Sequence, residues 1–191
     1  MSQVAGLVLA AGEGRRFGGP KAVVEVDGER LVDRAVRVLR EGGCEPVYVV
    51  SGAVSVAVPG ATTVVNDDWE TGKASSLRAG LASLPETAAA VVISLVDQPG
   101  IGADVIARLV SRLRDGQQLV VATYGGRPRN PAGVARPLWA AVSAAAVGDE
   151  GVRTFIREHP EQVEAIECAD IADPTDIDTP EDLASHSREG G

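Results

Sequence analysis

The chain has 191 residues, of which 45% are hydrophobic, and its formal net charge at pH 7 is -9. This length suits one well-packed domain and is short for two, so we expect residues 1–191 to form a single domain. The acidic balance argues against nucleic acid as a partner. No apolar run reaches the ~18–20 residues of a membrane span, and the N-terminus lacks the basic segment of a signal peptide. We therefore expect a cytoplasmic protein with neither a nucleic acid nor a membrane as partner.

The two cysteines, Cys44 and Cys168, are far apart, and so are the two histidines, His159 and His186. None of the four has a neighbour at the spacing of a zinc site. A reducing compartment favours thiols that are buried and chemically idle. We predict no zinc centre and no disulfide.

Short apolar runs alternate with segments of helical spacing along the first 124 residues. The first strand is predicted at Val4–Ala10, before a glycine-rich loop, and a brief second strand at Ala22–Val26. A helix follows from Leu31 and ends at Gly42-Gly43, where glycine suits a helix terminus. Further strands are predicted over "PVYVVSG", "ATTVVND", "AAAVVISLVD" and "QQLVVATY", and further helices over "SSLRAGLASL" and "ADVIARLVSRLRDG". The alternation predicts an α/β fold, a three-layer sandwich around a mainly parallel, Rossmann-like sheet.

The pattern loosens after residue 125. We interpret residues 125–155 as an insertion with hairpin character, followed by a strand near Val163–Glu167. The last residues, 185–191, are small and polar, which predicts a frayed tail.

The loop "LAAGEGRRFGGPK" collects cations in an acidic chain. It holds Arg15, Arg16 and Lys21 against the single acid Glu13. Glycines let a backbone turn several N–H groups toward one anion, and cations beside them neutralise a polyphosphate. In open α/β sheets the first strand-to-helix loop is a usual place for phosphate.

Two common phosphate motifs do not fit this loop. A dinucleotide fingerprint needs glycine or alanine where Phe17 stands, and a Walker A loop needs serine or threonine where Ala22 follows the lysine. The loop instead resembles the L-A-A-G-x-S-x-R-M-G-x-x-K signature of the molybdenum cofactor nucleotidyltransferase group, in particular its cytidylyltransferase branch. Gly14 and Phe17 depart from that signature. The resemblance implies that the nucleotide is bound by Leu9, Ala10, Ala11, Gly12, Gly14, Arg15, Arg16 and Lys21.

Two acids are candidate metal ligands. The strand "VVISLVDQP" ends in Asp97, which from the residues alone is either a turn former or a ligand of Mg²⁺. The group carries D-M-P at this point with its aspartate on the metal, and here Gln98 replaces the methionine. In "DIDTPEDL", Thr179 and Asp182 have the pattern of a helix start. Asp178 just before them is either a second metal ligand, as the resemblance implies, or purely structural.

The segment "NDDWETGKASSLRAGL" is similar to the group's N-x-x-W-x-x-G-M-S-x-S-L pattern, which meets the base and ribose of the nucleotide. Gly72, Ser75 and Ser76 fit this pattern as nucleotide-binding residues, whereas Lys73 and Ala74 depart from it. Either serine could also serve simply as a helix N-cap.

Two later segments resemble the acceptor side of the group. "YGGRPRNPAGVARPLW" keeps Asn130, and "GDEGVR" supplies Asp149 and Arg153. Asp149 has two open interpretations, since it could position the acceptor or cap the following helix.

Taken together, the resemblance implies Mg²⁺-dependent transfer of CMP from CTP to molybdopterin with release of pyrophosphate. Arg16, Lys21 and Asp97 are then the catalytic residues, and a molybdoenzyme or its maturation factor is a possible protein partner. One alternative is a guanylyltransferase using GTP, although that branch usually reads L-A-G-G where this chain has Ala11. The others are a sugar-phosphate nucleotidyltransferase and a non-catalytic nucleotide-binding accessory protein.

Overall fold

The protein was analysed as a computed structural model that describes residues 3–189. The strands are β1 Gln3–Leu9, β2 Glu25–Val26, β3 Glu29–Arg30, β4 Val47–Ser51, β5 Thr62–Val65, β6 Ala88–Leu95, β7 Leu119–Tyr124, β8 Arg127–Ala135 and β9 Glu164–Glu167. The α-helices are α1 Leu31–Glu41, α2 Lys73–Ser83, α3 Ala103–Arg114, α4 Trp139–Ala145, α5 Arg153–Glu158 and α6 Pro180–Glu189.

Seven strands form one sheet in the order β5-β4-β1-β6-β8-β7-β9. All neighbours pair in parallel except β8, which is antiparallel to both β6 and β7. The predicted mainly parallel sheet is therefore confirmed. Because β1 and β6 are parallel neighbours, the loops after them leave the same edge of the sheet, which is where ligands bind in such folds.

Helices cover both faces of the sheet. Val4 and Val8 of β1 face the core beneath α1 and α3, whereas Ala5 and Leu7 face the core beneath α2, α4 and α5. A methyl group at Gly80 of α2 would lie 2.6 Å from Leu7, so this glycine lets the helix approach the sheet closely. The three predicted layers are confirmed.

Three local predictions differ from the structure. The strand predicted at Ala22–Val26 is a 3₁₀ turn at Lys21–Val23 followed by the two-residue β2, which pairs with β3. The second α-helix begins at Lys73 rather than at the serines. The tail predicted to fray is helical through Glu189, because α6 continues that far, and residues 190–191 lie outside the described part of the chain.

The segment predicted as an insertion at 125–155 supplies a strand of the main sheet. β8 lies between β6 and β7, and its residues Ala132–Ala135 pair with β6. The hairpin character is real, since Gly125 and Gly126 both have positive φ and form a two-residue turn between β7 and β8. The interpretation as an addition to the core is corrected, because long-range strand pairing leaves no mark in the local pattern.

A carboxylate holds this hairpin. Glu167 at the end of β9 accepts the N–H groups of Gly125 and Gly126 at 2.9 and 3.0 Å. It also accepts the Thr123 hydroxyl at 3.0 Å and the Ala169 N–H at 3.1 Å. These donors, led by the two glycine N–H groups, lower the pKa of Glu167 to about 2.

Replacing this residue, Glu167→Gln, should lower the melting temperature at pH 7, because one charged acceptor serves four donors. The pKa is depressed in the folded state, so the stabilisation is complete above the ordinary value of 4.5 and is lost as the pH falls toward about 2. Calorimetry at pH 7, 4 and 2.5 should show the difference between the two proteins shrinking. A difference that is constant with pH would contradict the role of the charge.

Cys44 and Cys168 are both buried and unpaired, as predicted. Burial raises the pKa of the Cys44 thiol to about 12, which leaves it unreactive. Within residues 3–189, no helix combines the length and the apolar character needed to cross a membrane.

Candidate active site

The loop after β1 is built around one glycine. Gly14 has φ +63°, and a Cβ there would overlap the carbonyl oxygen of Gly19. The carbonyl oxygen of Gly14 accepts the N–H groups of Phe17, Gly18 and Gly19. Glycine is therefore required at this position by the loop conformation, which accounts for the departure from the serine of the resembling signature.

The first half of the loop keeps its donors available. Within the described residues, no backbone N–H from Gly12 to Arg16 has a protein acceptor. The side chains of Arg15 and Arg16 are 82% and 77% exposed, the first against Glu13 and the second 3.4 Å from Asp178. Such a set of open N–H groups and exposed guanidinium groups fits an anion with several oxygens.

A lysine between two aspartates forms the centre of the site. Lys21 Nζ lies 3.0 Å from Asp97 Oδ2 and 2.6 Å from Asp178 Oδ1. The side chains of Lys21 and Asp97 are only 14% and 17% exposed. Residues separated by 76 and 157 positions in sequence thus meet at one edge of the sheet.

The charges within this group shift the pKa values of Lys21 and Asp178. Burial acts to lower the pKa of Lys21, but the hydrogen bond to Asp178 and the charge of Asp97 outweigh it, so the pKa is raised and the ammonium is retained. The same hydrogen bond lowers the pKa of Asp178 below its usual range. The other carboxylate oxygen of Asp97, Oδ1, is buried and has no hydrogen-bond partner in the described chain. A buried oxygen without a donor is costly unless something else binds it.

The segment that carries Asp178 is the C-terminal connection, residues 168–179, between β9 and α6. The N–H of Ile177 donates to the carbonyl oxygen of Asp97 at 2.8 Å, which joins the connection to the loop after β6. At the start of α6, Asp182 N–H donates to Thr179 Oγ1 and Thr179 N–H donates to Asp182 Oδ2. The predicted helix start is therefore confirmed.

The two serines of the nucleotide segment have different surroundings. Ser76 lines the cleft, whereas Ser75 does not. The Ser75 hydroxyl lies 2.8 Å from the Gly72 carbonyl oxygen and accepts from Asn66 Nδ2, which also donates to Ser76. Neither serine is an N-cap, since α2 begins earlier. The nucleotide contact of Ser75 stays a prediction, although its side chain does not line the cleft.

Asp149 lies at the cleft and caps a helix, though not the predicted one. Its Oδ1 accepts the N–H of Lys73 at the start of α2, at 3.3 Å, rather than an N–H of α5. Asn130 and Arg153, which the sequence places with Asp149, line a different cavity of about 510 Å³ beside α5. The structure thus separates the three predicted acceptor residues.

The cleft has a volume of about 390 Å³ and lies over the ends of β1 and β6. Both lysines of the chain line it, Lys21 on one side and Lys73 at the start of α2. Sequence reasoning missed Trp69, Lys73, Leu95 and Val96 as lining residues, although the tryptophan was visible in the quoted motif. The cleft is lined by Leu9, Ala10, Ala11, Gly12, Gly14, Arg15, Arg16, Lys21, Trp69, Gly72, Lys73, Ser76, Leu95, Val96, Asp97, Asp149 and Asp178.

A family model described as the MobA-like NTP transferase domain matches residues 6–163. The chain belongs to the MobA-like NTP transferase family. It is therefore an enzyme of the nucleotidyltransferase class, and the expected relation to molybdopterin nucleotidyltransferases is confirmed.

Two curated proteins are similar to this chain over nearly its whole length. Nicotine blue oxidoreductase of Paenarthrobacter nicotinovorans is 36% identical over 94% of this chain and 94% of its own. Molybdenum cofactor guanylyltransferase of Rhizobium leguminosarum bv. trifolii is 33% identical over 98% of this chain and 93% of its own.

Solved structures match over the whole fold of this MobA-like chain. The homologue of Mycobacterium tuberculosis Rv0371c from Mycobacterium sp. strain JC1 has a TM-score of 0.85 and 30% identity, covering 98% of both chains. Rv0371c from Mycobacterium tuberculosis H37Rv, in complex with manganese, has a TM-score of 0.78 and 24% identity, covering 99% of this chain and 100% of its own.

Proposed function

We propose that this enzyme transfers a nucleoside monophosphate from CTP to molybdopterin and releases pyrophosphate. GTP is an equally supported donor, because the relatives named for this chemistry are guanylyltransferases. The proposal rests on one observation: Lys21, Asp97 and Asp178 meet beside a loop whose N–H groups are open. A binding protein without chemistry would not require a buried carboxylate oxygen that has no partner.

The donor set fits a hard divalent cation. Within residues 3–189 no cluster of three or more acidic, histidine or cysteine side chains could hold a metal. The candidate ligands are the two carboxylates in contact with Lys21. Mg²⁺ commonly binds one or two carboxylates together with substrate phosphate oxygens. Asp97, through its unpartnered Oδ1, and Asp178 would hold the ion. When bound, Mg²⁺ supplies Lewis-acid stabilisation of phosphate charge.

The chain's own residues position and neutralise the phosphates. The N–H groups of Gly12–Arg16 and the Arg16 guanidinium would bind the β- and γ-phosphates. Lys21 would turn toward the α-phosphate, where an oxygen of the acceptor phosphate attacks in line. The bond from the α-phosphorus to the bridging oxygen breaks, and pyrophosphate leaves with the electron pair. The nucleophile is already an anion, so no general base is needed.

The choice of base is assigned to Ala11. Its side chain is buried at the cleft wall, where the guanylyltransferase branch usually has glycine. A methyl group there leaves less room and favours a pyrimidine over a purine. The variant Ala11→Gly should raise kcat/KM for GTP relative to CTP about tenfold, the usual discrimination of one small group. Competition assays with both nucleotides give the ratio directly, and a ratio equal to that of the wild type would remove Ala11 from the base site.

The acceptor is assigned to the side of the second cavity. Asn130 lies there on an apolar floor, and Arg153 borders it together with Arg129 and Arg157. Three guanidinium groups around an apolar surface suit a flat anionic compound. Asp149 would contact the same compound from the cleft side.

Replacing Lys73 tests whether the cleft binds the nucleotide. It has no ion-pair partner within the described residues, so its charge is available to a substrate anion. Lys73→Met should raise the nucleotide KM about three- to tenfold and leave kcat nearly unchanged, as expected for a contact equal in ground and transition states. The variant Arg127→Met, at the exposed first residue of β8, serves as a control and should change neither value. A fall in kcat at constant KM would instead place Lys73 in the chemistry.

The function is tested by pyrophosphate release with each of the four NTPs and molybdopterin. Release with CTP or GTP that depends on molybdopterin would support the proposal, and release with a sugar phosphate instead would reject it. The relative named nicotine blue oxidoreductase calls for a parallel assay of nicotine blue reduction. Reduction of nicotine blue without pyrophosphate release would overturn nucleotidyl transfer.

A further inference from the structure

The loop after β6 contains a buried polar side chain that the proposed chemistry does not use. Gln98 is 4% exposed and directly follows Asp97. Its Nε2 donates to Asp176 Oδ1 at 2.8 Å and lies 3.3 Å from the Pro174 carbonyl oxygen. Its Oε1 is buried and has no partner within the described chain. The Gln98 side chain therefore serves as a hydrogen-bond donor to the C-terminal connection and accepts no hydrogen bond from the described chain.

The bond to Asp176 matters because that carboxylate is half-buried. The amide of Gln98 is the one hydrogen-bond donor to Asp176 among the described residues. An apolar side chain at position 98 would leave the carboxylate without a donor, which costs more than the loss of an ordinary hydrogen bond. Gln98 and Asp176 thus belong together as a pair.

Two consecutive residues of the β6 loop bond to the C-terminal connection, and Gln98 is the second of them. The N–H of Ile177 donates to the Asp97 carbonyl oxygen, and the buried Ile177 side chain packs with Val26 and Leu31. Asp178 follows immediately, at its 2.6 Å contact with Lys21. The register of the connection against the β6 loop therefore fixes where the Asp178 carboxylate stands.

We propose that Gln98 is a positioning residue: by holding Asp176, it sets Asp178 beside Lys21 and Asp97. This inference rests on the proposed function for its effect on turnover, but its structural part is independent of turnover. Without the bond, the connection would remain folded at α6 and lose its fixed distance to Lys21.

The test compares Gln98→Met, Gln98→Glu, Asp176→Asn and the double variant Gln98→Glu/Asp176→Asn. The double variant exchanges donor and acceptor, so that an amide at 176 donates to a carboxylate at 98. Three readouts are taken: kcat and KM for the nucleotide, Mn²⁺ binding by electron paramagnetic resonance, and amide hydrogen exchange of the peptide around Ile177. Gln117→Met, at an exposed turn, is the matched control.

Gln98→Met and Gln98→Glu should each lower kcat about tenfold with the nucleotide KM within about twofold, and speed exchange at Ile177 about tenfold. The double variant should recover to within about threefold of the wild type in both. Unchanged exchange in Gln98→Met, or a double variant no better than Gln98→Glu, would overturn the proposal. A wild type that transfers no nucleotide would defeat the proposed function alone, because exchange and Mn²⁺ binding still report the position of the connection.

Discussion

Asp97→Asn should reduce kcat for nucleotidyl transfer at least 10²–10³-fold, or about 3–4 kcal/mol in the activation free energy. The amide keeps the size of the side chain but removes the charge and offers a donor where a cation would bind. Lys21 retains Asp178 as a partner, so the fold should survive. Steady-state kinetics and circular dichroism of the same preparation give the two quantities.

A metal titration separates this explanation from a packing defect. Asp97→Asn should weaken Mn²⁺ binding measured by electron paramagnetic resonance. The variant Asp104→Asn, in the first turn of α3, should not weaken it, because Asp104 does not line the cleft. Wild-type turnover in Asp97→Asn would remove the metal assignment. Reduced turnover with normal Mn²⁺ binding would indicate that Asp97 acts by orienting Lys21 and not by binding the metal.

Lys21→Met should lower kcat by a similar 10²–10³-fold, because a charge clamp on the α-phosphate is lost. Its effect on the metal should have the opposite sign. The Lys21 ammonium occupies the space between the two carboxylates, at 3.0 and 2.6 Å. Removing it leaves Asp97 and Asp178 facing each other, and a divalent cation should then bind more tightly.

The Mn²⁺ affinities of Lys21→Met and Asp97→Asn should therefore be compared directly. Two variants with equal losses in kcat and opposite changes in Mn²⁺ affinity would establish that the lysine and the cation share one site. Lys73→Met, which removes the other lysine of the chain, is the matched control and should leave Mn²⁺ binding unchanged. Weaker Mn²⁺ binding in Lys21→Met would contradict the competition between ammonium and metal.

The centre of the site was predictable because its parts lie in short, dense motifs. The glycine loop with Arg16 and Lys21 follows the first strand directly, and Asp97 ends a strand whose apolar run marks it as central. Parallel neighbours bring their carboxyl ends to one edge, so local patterns were enough to place these residues together.

The remaining features depend on pairing between distant segments. Nothing in the sequence around Asn130 shows that β8 enters the middle of the sheet and turns this residue toward a second cavity. The bonds of Glu167 to the β7–β8 turn and of Gln98 to Asp176 cross 41 and 78 positions. Such contacts are set by how the elements pack, which a single sequence does not record.

The late position of Asp178 separates the sheet from the completed site. Every strand in the described part of the chain precedes residue 168, whereas this aspartate lies in the connection that follows. A chain cut after β9 would therefore retain all of these strands, together with Lys21 and Asp97, and would lack the second acid of the site.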